Sequence, residues 1–420
     1  MRPYLPQLLF IALSACAPAL PELPADIDYS AATDYRATGD GGIPDDDVIC
    51  SGGTHAYLGR CVAVDLVVAT TGGYDAPRSG RIFIAPDERL DDLREIEFPA
   101  PTGGAGGTDL TLATAADRLM IIGRDGADTV WVYEPRNGTP RFTTIHSPVA
   151  GYANFHDALW DGEQYIVSAN QLDRLLLFDE NGTPAGEIPL AVLASDGTTP
   201  AASALLRNGD RTYAAIQLLG ADWLSRGGRL ARWDDDGMSL TPIDLPLTNP
   251  TSKLAVEPLL SPRQLFLSCS GSYQARDGGI VRVDLFTGEA TVILRETTDD
   301  LSPFNMKVGD IAVTRGGDIY FTAFDADWQG HLQVLERNGT VRRIVQGINA
   351  FAAIPLDTSP FTGHLYFFDQ VSENNATISR LNALETATGD ITTIPIPDAP
   401  AALRVWIRDP LTATNGGKEE

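Results

Sequence analysis

The stretch LLLFDENGTPAGEIPL, residues 175–190, decides the fold. Four apolar residues run into a polar turn, Asp179-Glu180-Asn181-Gly182, and a second strand-like run follows. Asn-Gly accepts the positive φ of a tight turn, so the segment reads as a β-hairpin. The pattern returns as VWVYEPRNGTPRFTTI (130–145), LARWDDDGMSLTPIDL (230–245), IVRVDLFTGEATVIL (280–294), LQVLERNGTVRRIV (332–345) and ISRLNALETATGDITTI (378–394). The turn glycines are Gly138, Gly182, Gly237, Gly288, Gly339 and Gly389, separated by 44, 55, 51, 51 and 50 residues. Strand-only units with a period near 50 residues are the signature of a β-propeller, one four-stranded blade per unit.

The residues upstream of each hairpin agree. DLTLATAADRLMIIG (109–123), DALWDGEQYIVSA (157–169), ALLRNGDRTYAAIQ (204–217), LAVEPLLSPRQLFLS (254–268) and DIAVTRGGDIYFTA (310–323) each read as two further strands. GRIFIAPDERLDDLREIEFPA (80–100) supplies one more outer pair, which brings the count to seven blades, with six or eight as the neighbouring counts. The blade at residues 62–99 lacks an innermost strand, and AALRVWIRDP (401–410) contains a strand without a blade. Placing Leu403–Arg408 in the first blade closes the ring and removes its open edges. The alternative is an extra strand on the last blade. The expectation is therefore an all-β, seven-bladed propeller over residues 49–410, closed by the C-terminal strand, with a disordered tail at 411–420.

The chain begins MRPYLPQLLFIALSAC: a basic start, an apolar run too short to span a bilayer, then small residues before Cys16. Leu13-Ser14-Ala15-Cys16 resembles the lipobox of bacterial lipoproteins. That resemblance implies a signal peptide at residues 1–15 and an acylated Cys16 that anchors the mature chain in the bilayer. Ala17, where an Asp would favour the inner membrane, implies the outer membrane. The alternative is an ordinary signal peptide with a chance cysteine. Residues 16–48, rich in Pro, Ala and Asp, read as an extended tether. Within it, GDGGIPDDD resembles a fragment of a thrombospondin type 3 repeat, with Asp40, Asp45, Asp46 and Asp47 as Ca²⁺ ligands; an acidic linker imitates the same pattern. Export implies an oxidising compartment, in which Cys50 and Cys61 can bridge across a short Gly-rich loop. Cys269, inside the apolar run QLFLSCSGS, reads as a buried unpaired thiol.

The net charge of −25 argues against a nucleic-acid partner. Phosphate-loop, dinucleotide, HExxH and G-x-S-x-G motifs are absent from the chain. One pattern recurs: an Asp just before an innermost strand, as Asp109, Asp157 and Asp310. With His156, Asn305 and Lys307 nearby, these residues are the candidates for a divalent cation such as Ca²⁺, or for a polar ligand, at the mouth of the central funnel. The alternative is structural: each Asp satisfies backbone N–H groups in the same loop of its blade. Trp131, Trp160, Trp233, Trp328 and Trp406 lie on strand-like runs and read as packing between blades. The segments LLGADWLSRGG, SGSYQARDGG and FDQVSENNA read as long connections on one rim, suited to partner contacts.

FDENGTPAGEI and LERNGTVRRIV resemble the blade signatures of NHL-repeat and gluconolactonase-like propellers, over most of residues 62–409. The resemblance implies either a binding protein or a lactone hydrolase with a divalent metal held by Glu, Asn and Asp. The expected function is a membrane-anchored extracytoplasmic lipoprotein. Its monomeric propeller binds an envelope protein or a small polar ligand, without catalysis. The alternatives are a metal-dependent hydrolase of the lactonase type and a quinoprotein-like oxidoreductase. The anchor is tested by fractionation. Cys16→Ser is expected to move the protein from the membrane to the soluble fraction, and retention in the membrane contradicts the lipoprotein reading.

Overall fold

A computed structural model of the chain describes residues 55–57, 60–71, 80–97, 109–115, 117–124, 127–136, 140–234, 237–251, 253–257, 263–272, 275–297, 307–325, 327–348, 355–373 and 376–408. Cys16, the tether aspartates, Cys50 and Asn305 fall outside these residues. Among the described residues no helix is long and apolar enough to cross a membrane.

The strands form seven antiparallel sheets arranged as a ring of blades. The first sheet contains β1 (His55–Tyr57), β2 (Arg60–Thr71), β3 (Arg81–Pro86) and β4 (Arg94–Ile96). The second blade is β5 to β8: Leu110–Ala115, Arg118–Gly123, Thr129–Glu134 and Arg141–His146. The third is β9 to β12: Phe155–Trp160, Tyr165–Ala169, Arg174–Phe178 and Pro184–Pro189. The fourth is β13 to β16: Thr199–Asn208, Arg211–Leu219, Ser225–Asp234 and Gly237–Asp244. The fifth is β17 to β20: Ala255–Val256, Gln264–Cys269, Gly279–Asp284 and Ala290–Arg295. The sixth is β21 to β24: Lys307–Val313, Ile319–Phe324, Gly330–Leu335 and Val341–Ile348. The seventh is β25 to β28: Leu356–Thr358, His364–Glu373, Ala376–Glu385 and Ile391–Ile396.

The last strand, β29 (Ala399–Arg408), pairs with β2 from Ala63↔Arg408 to Thr71↔Ala399. It is the innermost strand of the first blade, so one blade is built from both ends of the described chain. The hairpin turns behave as their composition requires. Gly182 and Gly339 sit at φ 81° and 86°, which a Cβ would disfavour.

Burial follows position in the blade. In the third blade β10 is buried at every residue, whereas the outermost β12 buries only Ile188. Apolar side chains gather between blades rather than inside one globular core. Each of the seven interfaces has its own cluster, such as Val130, Tyr165 and Phe178 between blades two and three, or Leu66, Tyr366 and Leu403 between blades seven and one. Trp131 and Trp406 belong to the cluster joining blades one and two. Trp328 lies instead on the β22–β23 turn, 53% exposed. The segment FDQVSENNA also differs from expectation. β26 and β27 continue through it, with Val371 opposite Ile378 and Gln370 Nε2 donating to Ser379 Oγ at 3.2 Å. Polar residues that pair across strands extend a hairpin as effectively as apolar ones. Cys269 is buried and unpaired, and burial pushes its thiol up to about 12.

Ring closure rests on Trp406, which is fully buried and donates its indole N–H to Ala115 O at 2.6 Å across the seam to blade two. Trp406→Ala is expected to cost about 3–5 kcal/mol of stability, measured by chemical denaturation. A loss below about 1 kcal/mol would place β29 outside the cooperative fold.

Candidate functional site

The innermost strands of all seven blades surround a central channel of about 550 Å³. Its wall is formed by residues of β5, β9, β13, β17, β21, β25 and β29 together with flanking loop residues. Five of its lining side chains are charged: Asp157, Arg207, Lys253, Asp357 and Arg404. The remainder are mostly small or apolar, among them Ala113, Leu206, Val313 and Val405. A volume of this size suits one small ligand.

The aspartates of the innermost strands do the same mechanical work in several blades. Asp157 Oδ2 accepts the N–H of Leu205 at 2.8 Å, joining blade three to blade four. Asp310 Oδ2 accepts Leu356 N–H at 3.0 Å, joining blade six to blade seven. Asp357 Oδ2 accepts Val405 N–H at 2.9 Å, joining blade seven to β29. Adjacent innermost strands diverge too far to pair by backbone alone, and the carboxylate bridges the gap while satisfying an inner N–H. Asp157 and Asp357 face the channel as well, so these two are both fasteners and lining groups.

Of the six candidates, Asn305 lies outside the described residues, and the other five separate into two groups. Asp109, His156 and Asp157 gather around Arg124 near blades two and three. Arg124 holds Asp109 Oδ1 through Nε at 3.0 Å and Nη2 at 2.5 Å, and its charge acts on both His156 and Asp157. Burial pushes the Asp157 carboxyl up to about 6, against the pull of the Leu205 N–H and of Arg404. Burial, then Arg124, pushes His156 down to about 3. Lys307 and Asp310 belong to blade six. Lys307 Nζ donates to the carbonyls of Ser270, Ser272 and Ala275 at 2.6, 2.8 and 3.2 Å, with Glu296 Oε2 at 3.9 Å. This loop has the oxygens of a cation site and fills it with its own ammonium. Burial lowers the pKa of Lys307, and Glu296 opposes that shift.

Sequence reasoning did not single out Lys253, Asp357 or Arg404. Lys253 Nζ donates to Asp357 Oδ1 at 3.1 Å and to Leu356 O. Arg404 Nη1 donates to Leu403 O at 3.1 Å. A signal existed for two of them. Asp357 repeats the inner-strand aspartate seen at Asp157 and Asp310, and Arg404 is a charge inside the otherwise apolar run AALRVW. Among the described residues no three His, Cys, Asp or Glu side chains converge to hold a metal.

A second feature lies on the face that carries the connections between second and third strands. The tripeptide Ala-Asp-Trp occurs there twice, ending at Trp223 and Trp328, in the equivalent turns of blades four and six. Both tryptophans have positive φ, 62° and 59°, and are 58% and 53% exposed. A bulky residue in the left-handed region is uncommon, and here it turns an indole outward twice.

No protein-family model matches the chain, and no curated protein matches it. Solved structures do. A protein described as a putative 6-phosphogluconolactonase from Bacteroides uniformis matches with TM-score 0.56 at 13% identity, over 81% of this chain and 99% of its own. A hypothetical selenium-binding protein from Sulfolobus tokodaii matches with TM-score 0.58 at 13% identity, over 81% and 93%. A protein from Lactobacillus plantarum matches with TM-score 0.55 at 15% identity, over 81% and 98%. At these identities the likeness is one of fold, the propeller.

The desolvation of the adjacent, half-buried pair His156 and Asp157 has opposite consequences for stability. The folded state keeps the Asp157 proton up to about pH 6, against 3.8 for an ordinary carboxyl, so its contribution falls as pH rises from about 4 to 6. The folded state keeps His156 neutral down to about pH 3, against 6.5, so its contribution rises over the same window. Urea denaturation at pH 4, 5 and 6 is expected to show Asp157→Asn gaining stability relative to the parent as pH rises, and His156→Gln losing it. Parallel curves for all three proteins contradict the burial of this pair.

Proposed function

We propose that this chain is an exported lipoprotein, anchored through acylated Cys16 in the outer membrane. Its propeller binds a small polar ligand in the central channel and performs no chemistry on it. The observation that carries the reading is the channel itself. Four charged side chains on the inner strands, with Lys253 just ahead of β17, surround one cavity of about 550 Å³. Charged groups fixed on rigid strands and facing a cavity are suited to orienting a polar guest. The channel carboxylates are engaged by backbone N–H groups and by Lys253, which favours recognition over the activation of water.

The acidic stretch of residues 16–48 serves as the tether, and a Cys50–Cys61 bridge stiffens its junction with β2. The outward Trp223, Leu224 and Trp328 on one face support contact with an envelope protein as well, because aromatic side chains dominate interface energetics.

Native mass spectrometry of the detergent-solubilised protein tests the reading. The expected result is one low-molecular-weight species per chain, absent from a channel-filling Leu206→Trp variant. A bound divalent metal together with lactone hydrolysis that fails in Asp157→Ala would replace the binding reading with the hydrolase.

A further inference from the structure

The protein bears a net −25, yet the channel lining has three cations, Arg207, Lys253 and Arg404, against two carboxylates, Asp157 and Asp357. Lys253 and Asp357 neutralise one another at 3.1 Å. Arg404 has no carboxylate within ion-pair distance among the described residues, and its hydrogen bond goes to the carbonyl of Leu403 beside it. It enters the channel wall from β29 in blade one, near enough to the Asp157 carboxyl of blade three to act on it electrostatically. Arg404 is thus a channel cation with no carboxylate at ion-pair distance among the described residues, and Ala113, Leu206, Val313 and Val405 in the channel wall reduce the screening that water supplies.

We propose that the channel binds a small organic monocarboxylate, gripped by the guanidinium of Arg404 with Asp157 as its second polar contact. The proposal rests on the channel being a ligand site. A guanidinium presents a planar fork of donors that matches a carboxylate in two parallel hydrogen bonds. A single negative charge matches the one guanidinium of Arg404, whereas a phosphate dianion at pH 7.5 brings a second charge toward the carboxylates of Asp157 and Asp357. The apolar lining accommodates the rest of a small acid.

Asp157 makes the grip sensitive to pH. It faces Arg404 in the channel, with Arg124 and His156 behind it, Leu205 and Ala158 N–H groups on its oxygens, and Lys253, Asp357 and Arg207 elsewhere on the wall. Its carboxyl, pushed up to about 6, is charged at pH 7.5 and repels an incoming carboxylate. At pH 5.5 most of it is protonated, and it then donates a hydrogen bond in place of that repulsion.

The test is calorimetric titration of the detergent-solubilised full chain with acetate, lactate, gluconate and benzoate. Glucose serves as a neutral probe and inorganic phosphate as a second anion. At least one carboxylate is expected to bind one per chain, several-fold tighter at pH 5.5 than at pH 7.5. Arg404→Gln is expected to weaken it at least about tenfold, since a charge-assisted pair is removed. Arg404→Lys is expected to recover part of that loss, and Asp157→Asn to abolish the pH difference. Unchanged circular dichroism and melting confirm that the variants fold. Failure of all four carboxylates to bind overturns the proposal, as does carboxylate affinity indifferent to Arg404→Gln or phosphate binding more tightly than any of them. Glucose binding that Leu206→Trp blocks and Arg404→Gln spares also overturns it, while leaving the channel standing as a ligand site.

Discussion

The antiparallel pairing of β29 with β2 is the constraint on which the rest of the structure depends. A ring of blades has stable inner strands only if every blade has a neighbour on both sides. The first blade obtains its innermost strand from residues some three hundred positions downstream. The pairing closes two interfaces at once. Leu403 enters the cluster against blade seven, and Ala402 and Trp406 enter the cluster against blade two. Without it both clusters would face water and the channel would lose one wall.

The same strand completes the electrostatics of the channel. β29 contributes Arg404, and its Val405 N–H is the partner of Asp357. The inner strands splay, so their backbones alone cannot fasten them. Carboxylates at Asp157, Asp310 and Asp357 take that role and reach one backbone N–H in the next blade. Two of the three also line the cavity. The fastening that keeps the ring rigid therefore places negative charge in the channel, and Lys253 and Arg404 offset it. The recurrence of Asp at the start of inner strands has this mechanical cause, and the ligand-facing role follows from geometry in only some of the blades.

The architecture was legible in the sequence because its cause is local and repeated. Asn-Gly and Asp-Gly turns between alternating runs appear at nearly constant spacing, and each run is short enough to be read by itself. Closure was legible by counting strands, since Leu403–Arg408 had no blade and the first blade had no inner strand. The site was legible only in part. Asp157 was found through its recurrence. Asp357 escaped because its inner strand is three residues long, too short for any periodicity. Arg404 escaped because its meaning lies in which side of β29 it occupies, which is fixed by packing between blades, and Lys253 because it precedes an inner strand of only two residues. Lys307 reads as a funnel cation in the sequence, yet its protons go to three backbone carbonyls of the β18–β19 loop, a matter of tertiary geometry. Trp223 and Trp328 show the same limit: their exposure follows from a left-handed turn conformation.

The central claim, that the end of the described chain is an integral inner strand of the ring, is tested most directly by native-state hydrogen exchange. The account predicts that amides of residues 400–408 exchange together with those of residues 62–71, with protection comparable to the inner strands of the other blades. Exchange of residues 400–408 far ahead of those strands, as for a frayed terminus, would contradict it.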